Sequence, residues 1–366
     1  MNKLGNWLLS LGSVVAFLLA LVAAEGVLRL VSPDYFYQLN AEESSNVYSD
    51  VYGWALRPGF RGLDFGKLAT VNGRGYRGRE RPYEKTAGRT RVVILGDSIA
   101  YSAGVEEDRT FYSLVEARRR DVEIVNLAVG GYGTDQELIR LEREGLRYHP
   151  DVVVLHFCLF SDYTDNSLPS ALFDARQPKP YFSWDGTSLT LHDQHLRLSP
   201  LRALAQWLSD YSHLFNRLRD LFGLRRPPRE PGVWSQRKGA VERDLGPAAE
   251  LTFALVRRME TLSKQAGARF YLVIHPDEFA FEHRSHLLRK LCTTPMLEGV
   301  TMVEMGERHR AAGQAFGQWA LDEPGHLTES GHRVMAEVTE QLASGTMPPE
   351  WDWRSHCAAQ FAIPQR

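Results

Sequence analysis

The chain has 366 residues, of which 43% are hydrophobic and 24% charged, with a formal net charge of −2. This is ordinary globular material, large enough for one big domain or two small ones. The charge balance excludes bulk attraction to nucleic acid, and the three cysteines (Cys158, Cys292 and Cys357) match neither a disulfide scaffold nor zinc-ligand spacing.

In chain order, the first element is residues 4–24, LGNWLLSLGSVVAFLLALVAA, a run without charge between Lys3 and Glu25. As a helix it is about 31 Å long, close to the hydrocarbon thickness of a bilayer. A transmembrane anchor within residues 1–30 is expected, with Lys3 on the cytoplasmic side and the remaining chain outside, periplasmic or at the cell surface. A cleaved signal peptide is the competing reading, because Val22-Ala23-Ala24 supplies the small residues that a signal peptidase accepts.

Residues 31–90 form a lead-in to the domain. From residue 91 apolar strand candidates recur at 91–97, 122–129, 151–158, 269–275 and 299–305. Helical periodicity falls between them, near 109–119, 134–147, 246–266, 279–291 and 328–343. Continuously apolar strands separated by helices predict a parallel sheet covered on both faces, within a domain at 91–345. Ligands of such sheets sit beyond the carboxyl ends of the strands.

One excursion, 163–245, interrupts the alternation. It holds a hairpin, PYFSWDGTSLTLHD, with Asp185-Gly186 as a two-residue turn. An amphipathic helix follows, with Leu201, Leu204, Leu208, Tyr211, Phe215, Leu218 and Phe222 on one side; its stripe is expected to pack against the domain. Residues 346–366 are a C-terminal tail.

Three strand ends and the segment before the last helix carry chemistry-bearing residues: "GDSIAYSAGV" at 96–105, "NLAVGGYGTDQ" at 126–136, "FSDYTDN" at 160–166, and "LDEPGHLTESGH" at 321–332. Taken alone, Ser98 would be a helix cap, Gly131 a turn glycine and His326 a solvated histidine. His275 and His332 read as packing residues, and Cys158 as a buried small hydrophobe. Cys292 and Cys357 could pair in an oxidising compartment, which spacing leaves open.

Together the four blocks, in this order, resemble the SGNH (GDSL-type) hydrolase family. The likeness runs from about residue 50 to 343 and includes the lead-in "YGWALRPGF…VNGRGYRGRERP", similar to membrane-anchored bacterial members. It implies a three-layer α/β/α sandwich with a central parallel sheet, flavodoxin-like. It also implies an ester hydrolase with Ser98 as nucleophile, His326 as base, and an oxyanion hole from Ser98, Gly131 and the third block. That block departs from the family pattern, with Ser161 in place of an asparagine. The family acid falls on Glu323, while Asp322 is one residue further back, and both stay open. Asp97, Asp162 and Asn166 are placed on the substrate side, the two aspartates also ordering their loops.

The chemistry needs a base to deprotonate Ser98, an acid behind the imidazole, and N–H or O–H donors for the oxyanion. No metal or other cofactor is required. The expected partner is an acyl ester, with an O-acetylated polysaccharide among the candidates. The expected activity is deacylation of a carbohydrate or cell-surface ester. O-acyl transfer to a sugar hydroxyl and a non-catalytic glycan-binding or assembly role are the alternatives.

Overall fold

A computed structural model describes residues 3–32, 45–64, 66–159, 161–224, 245–283, 286–322, 325–357 and 361. The strands in chain order are β1 (Asn46–Ser49), β2 (Gly53–Leu56), β3 (Arg61–Asp64), β4 (Lys67–Thr70), β5 (Thr90–Leu95), β6 (Val122–Asn126), β7 (Val152–Cys158), β8 (Tyr181–Trp184), β9 (Leu189–His192), β10 (Arg269–His275) and β11 (Thr301–Glu304). The five strands that alternate with helices, each with an apolar centre, form one parallel sheet in the order β11-β10-β7-β5-β6. Val92, Val93 and Ile94 are fully buried because both faces of β5 are covered. Each such side chain contributes about 1.5–3 kcal/mol of apolar transfer energy.

The helices used below are α1 (Lys3–Val31), α2 (Ser98–Tyr101), α3 (Phe111–Arg118), α4 (Thr134–Arg143), α5 (Pro200–Tyr211), α6 (His213–Leu221), α7 (Leu245–Gln265) and α8 (Glu329–Ser344). One face of the sheet buries Val92, Ile94 and Val154 against Phe111 and Val115 of α3 and Met335, Val338 and Leu342 of α8. The other buries Val93, Leu95 and Val153 against Leu138 and Leu141 of α4 and Leu255, Val256 and Met259 of α7. The architecture is a three-layer α/β/α sandwich. Strand order reverses between β5 and β7, so the crevice for a ligand opens where those two strands end.

Two expectations for the excursion are corrected. The hairpin pairs Trp184 with Leu189, so Asp185–Ser188 forms a four-residue loop and not a two-residue turn. Asp185 Oδ1 accepts the N–H groups of Thr187 (2.8 Å) and Ser188 (2.8 Å), which favours the longer loop. The single amphipathic helix is two, α5 and α6, parted at Ser212, whose hydroxyl accepts the Phe215 N–H at 3.0 Å. The first half of the apolar stripe of α5 does not pack on the domain: Leu201 and Leu204 are exposed, as is the neighbouring Trp207, while Leu208 is half-buried and Tyr211 lies under Arg57.

Candidate active site

Ser98 is raised by the turn that ends β5. Gly96 lies so close to β7 and to α2 that a Cβ there would sit 2.7 Å from Ala100 Cβ and 3.0 Å from His156 Cβ, so only glycine fits. Asp97 then caps α2, its Oδ1 accepting the Ile99 N–H at 2.9 Å, and Ser98 is the first helical residue. The far end of α2 is fixed by the lead-in. Arg77, almost fully buried, donates to the carbonyls of Tyr101 (3.2 Å), Ser102 (2.6 Å) and Val105 (2.8 Å), while Glu107 balances its charge at 2.9 Å.

His326 reaches Ser98 from the loop before α8. Its Nε2 lies 2.7 Å from Ser98 Oγ, and its Nδ1 lies 2.5 Å from Asp322 Oδ2. The loop is locked at both ends. Leu321 N–H donates to His326 O at 2.6 Å, and the Thr328 hydroxyl caps α8 by accepting the Gly331 N–H at 3.1 Å. Partial burial opposes ionisation of Asp322, but the hydrogen bonds from the His326 ring and from the His326 and Gly325 N–H groups outweigh it. Its pKa therefore lies below the ordinary carboxylate range. Of the two acids left open by the sequence, Asp322 holds the position behind the imidazole; Glu323 lies outside the described residues.

Ser98, His326, Gly131 and Ser161 line one cavity. Gly131 follows β6 with φ +76°, a left-handed conformation that a side chain disfavours. Asn126, at the end of β6, ties this loop to α2 by donating to Ala100 O at 3.0 Å and accepting the Ala128 N–H at 3.2 Å. Ser161 opens the turn after β7, and its hydroxyl does not cap that turn.

The three substrate-side residues separate. Asp97 lines the cavity, but its carboxylate is engaged as the cap of α2. Asp162 does not line it: the side chain is buried and accepts the Cys158 N–H at 2.9 Å. Asn166 is placed away from it as well, accepting the Asp135 N–H at 3.1 Å and donating to Thr252 Oγ1 at 2.9 Å. Both sit one layer too deep to touch a ligand, because the turn after β7 folds its polar side chains inward to satisfy backbone groups. The cavity gains residues that sequence reasoning missed. Asn46, Trp54 and Asp64 come from the small hairpins of the lead-in, and Gln177 from the excursion. Asp64 accepts from Tyr101 Oη at 2.6 Å, and Trp54 Nε1 donates to Gly130 O at 3.1 Å. Their strands have only four residues each, too short for a periodic signal.

Behind Ser98 lies a buried acidic group: Asp97, Asp135, Glu137, Asp162 and Asp165. Lys179 enters it from the excursion and pairs with Asp135. Burial, followed by mutual repulsion, pushes Glu137 and Asp162 well above the carboxylate range. Burial raises Asp165 to about 7 although Lys179 opposes the shift. On the opposite face, His156 Nδ1 meets His275 Nε2 at 2.9 Å, and His332 Nδ1 accepts the Phe111 N–H at 3.3 Å. Burial lowers His156 and His332 to about 3, so both are neutral packing residues near pH 7.

No protein-family model matches this chain, and a search of curated proteins finds no match. Among solved structures it is similar to TesA, with 12% identity over 71% of this chain and 99% of that one, at a TM-score of 0.39. It is similar to a catalytic mutant of Axe2, an acetylxylan esterase from Geobacillus stearothermophilus (9% identity, 71% and 96% covered, TM-score 0.40). A GDSL-like lipase from Bacteroides thetaiotaomicron shares 11% identity over 70% of this chain and 89% of its own, at a TM-score of 0.37. In the chain's own geometry, Ser98, Gly131 and His326 meet in one cavity at the carboxyl edge of the parallel sheet of a three-layer α/β/α sandwich.

Proposed function

We propose that the chain is a serine esterase of SGNH type that removes a short acyl group, acetyl foremost, from a carbohydrate or cell-surface ester outside the cytoplasm. The observation that carries this reading is the relay Ser98 Oγ–His326 Nε2 at 2.7 Å and His326 Nδ1–Asp322 Oδ2 at 2.5 Å, opening into a cavity. Ser98 Oγ attacks the ester carbonyl carbon while His326 Nε2 takes its proton. Asp322 keeps the other imidazole proton on Nδ1 and stabilises the imidazolium. The N–H groups of Ser98 and Gly131, with the Ser161 hydroxyl, receive the charge on the tetrahedral oxygen. His326 returns its proton to the departing alcohol. Water then repeats the sequence and releases the acid from the acyl-serine.

The walls support a sugar-bearing ester, since the cavity is lined by the aromatic Trp54 and Phe173 together with the polar Asn46, Asp64 and Gln177. Placement outside the cytoplasm is supported by Leu9–Val31, a stretch of 23 residues with mean hydropathy 2.3 and none of it buried. The Cys292–Cys357 disulfide agrees with an oxidising compartment.

A serine-reactive phosphonate tests the central claim: it labels wild-type protein at Ser98 and leaves Ser98→Ala unlabelled. Labelling elsewhere, or none with folded protein, refutes the reading. Product analysis with an acetyl ester and a glycan acceptor separates hydrolysis from transfer. An alkaline phosphatase fusion after residue 60 that is inactive outside the cytoplasm refutes the topology.

A further inference from the structure

An amphipathic helix in a soluble domain turns its apolar stripe inward, and α5 does the reverse. Its C-terminal end meets the β1–β2 hairpin: Asp210 Oδ2 accepts the Tyr48 N–H at 3.1 Å, and the Arg57 guanidinium, from just beyond the hairpin, donates to Asp210 O and lies 5.5 Å from the Tyr211 ring centre. Its apolar side, Leu201, Leu204 and Trp207, faces outward, with Leu201 82% and Trp207 57% exposed. The end of α6 adds Leu221, Phe222 and Leu224, Phe222 being 69% exposed. Surface this apolar, gathered on two consecutive helices, marks a partner.

The attachment of α6 indicates which partner. Glu25 of α1 caps it, accepting the N–H groups of His213 (3.0 Å) and Leu214 (2.9 Å) and the Ser212 hydroxyl (2.9 Å). Arg29 of α1 donates to Tyr211 O at 2.6 Å, at the end of α5. Glu25 is the first charge after the uncharged run 4–24, and a membrane span meets water where charge resumes. The junction of α5 and α6 is therefore fixed at the level where α1 leaves the bilayer.

We propose that α5 and α6 form a monotopic platform lying in the lipid–water interface, with Leu201, Leu204, Trp207, Leu221 and Phe222 dipping among the lipids. A helix of strong amphipathicity lies in that plane, and tryptophan and tyrosine favour it. The platform also sets the position of the active cavity. β1 and β2 carry Asn46, Trp54 and Leu56 in the cavity wall and, from the same hairpin, Tyr48 against α5. The cavity is thus held beside the bilayer surface. This inference rests on reading α1 as a retained anchor.

The test uses the full chain reconstituted in vesicles of phosphatidylcholine and phosphatidylglycerol. On a Cys158→Ala background, an environment-sensitive fluorophore is attached at Leu204→Cys, Phe222→Cys, Val14→Cys in mid-α1, or Lys264→Cys at the end of α7. Quenchers are carried on the lipids either near the headgroup or deep in the acyl chain. The expected result is strong quenching of the probes at 204 and 222 by the shallow quencher, of the probe at 14 by the deep one, and of the probe at 264 by neither. Quenching at 14 with none at 204 and 222 overturns the platform while leaving the anchor intact. An apolar emission at 204 and 222 that lipid quenchers do not reach also overturns it, and points to a second copy of the chain on this face. No quenching at 14 removes the anchor, and the platform with it.

Discussion

Asp322 holds His326 twice, its Oδ2 meeting the ring Nδ1 at 2.5 Å and its Oδ1 accepting the His326 backbone N–H at 3.0 Å. One carboxylate thus sets both the ring's orientation and the path of the loop that carries it. In Asp322→Asn, the amide oxygen can still accept the backbone N–H. The amide nitrogen, however, presents a donor to Nδ1 and forces the wrong tautomer. The expected result is folded protein with kcat reduced on the order of 10³–10⁴. Glu323→Ala is expected to stay within a few-fold of wild type. Esterase assays on a short acyl ester check both, and the opposite ranking would give the acid role to Glu323.

Ser98 and His326 act as one unit across their 2.7 Å contact. Ser98→Ala, His326→Ala and the double variant are therefore expected to fall to a common residual rate, since removing either partner disables the other. Multiplicative losses in the double variant would show that each works independently.

Ser161 lines the cavity on the side of β7, while the N–H groups of Ser98 and Gly131 do not depend on it. Ser161→Ala is expected to lower kcat by about tenfold, less than the roughly 10²–10³ that loss of a principal oxyanion donor costs. KM should be little changed. A loss as large as that of Ser98→Ala would make the hydroxyl the main donor.

Burial raises Asp165 to about 7 in the folded chain, far above its unfolded value. Between about pH 4 and 7 the folded state binds this proton more tightly, so the group's penalty grows as pH rises through that window and is complete above it. Asp165→Asn removes the titration. Relative to wild type the variant is expected to be stabilised more at pH 8 than at pH 4, the difference being on the order of a few kcal/mol. Denaturant melts at the two pH values measure it, and an equal effect at both would show that Asp165 titrates normally.

The Cys292–Cys357 bond joins the middle of the tail to the helix His286–Thr293 across 65 residues. Replacing both cysteines with alanine is expected to lower stability by about 2–5 kcal/mol. Thermal melts with and without reductant provide the check, with reduction expected to bring the wild type down to the variant.

The sheet was legible in the sequence because runs such as Val92–Leu95 and Val152–Leu155 are apolar at every position, as expected of strands covered on both faces. Ser98, Gly131, Ser161 and His326 were legible because each follows such a run or shortly precedes the last helix, and all four line the cavity. Trp54 and Asp64 were not, since four-residue strands carry no readable period and their contribution depends on tertiary docking. Asn166 was misplaced because sequence puts it on the right loop without showing which way that loop turns its side chains. The helix at 200–211 failed differently. Periodicity finds its apolar stripe, but says nothing about whether that stripe turns toward the domain or away from it.

The Ser98–His326 contact spans 228 positions of the chain, from the first long strand to the loop before the last helix. Closing it requires β5, β7 and β10 to be assembled and α8 to be docked against α3. A chain still emerging from the ribosome, or still crossing a membrane, carries a serine with no base to activate it. The Ser98–His326 pair therefore forms only with the completed fold, and a partly folded chain holds a serine that nothing activates.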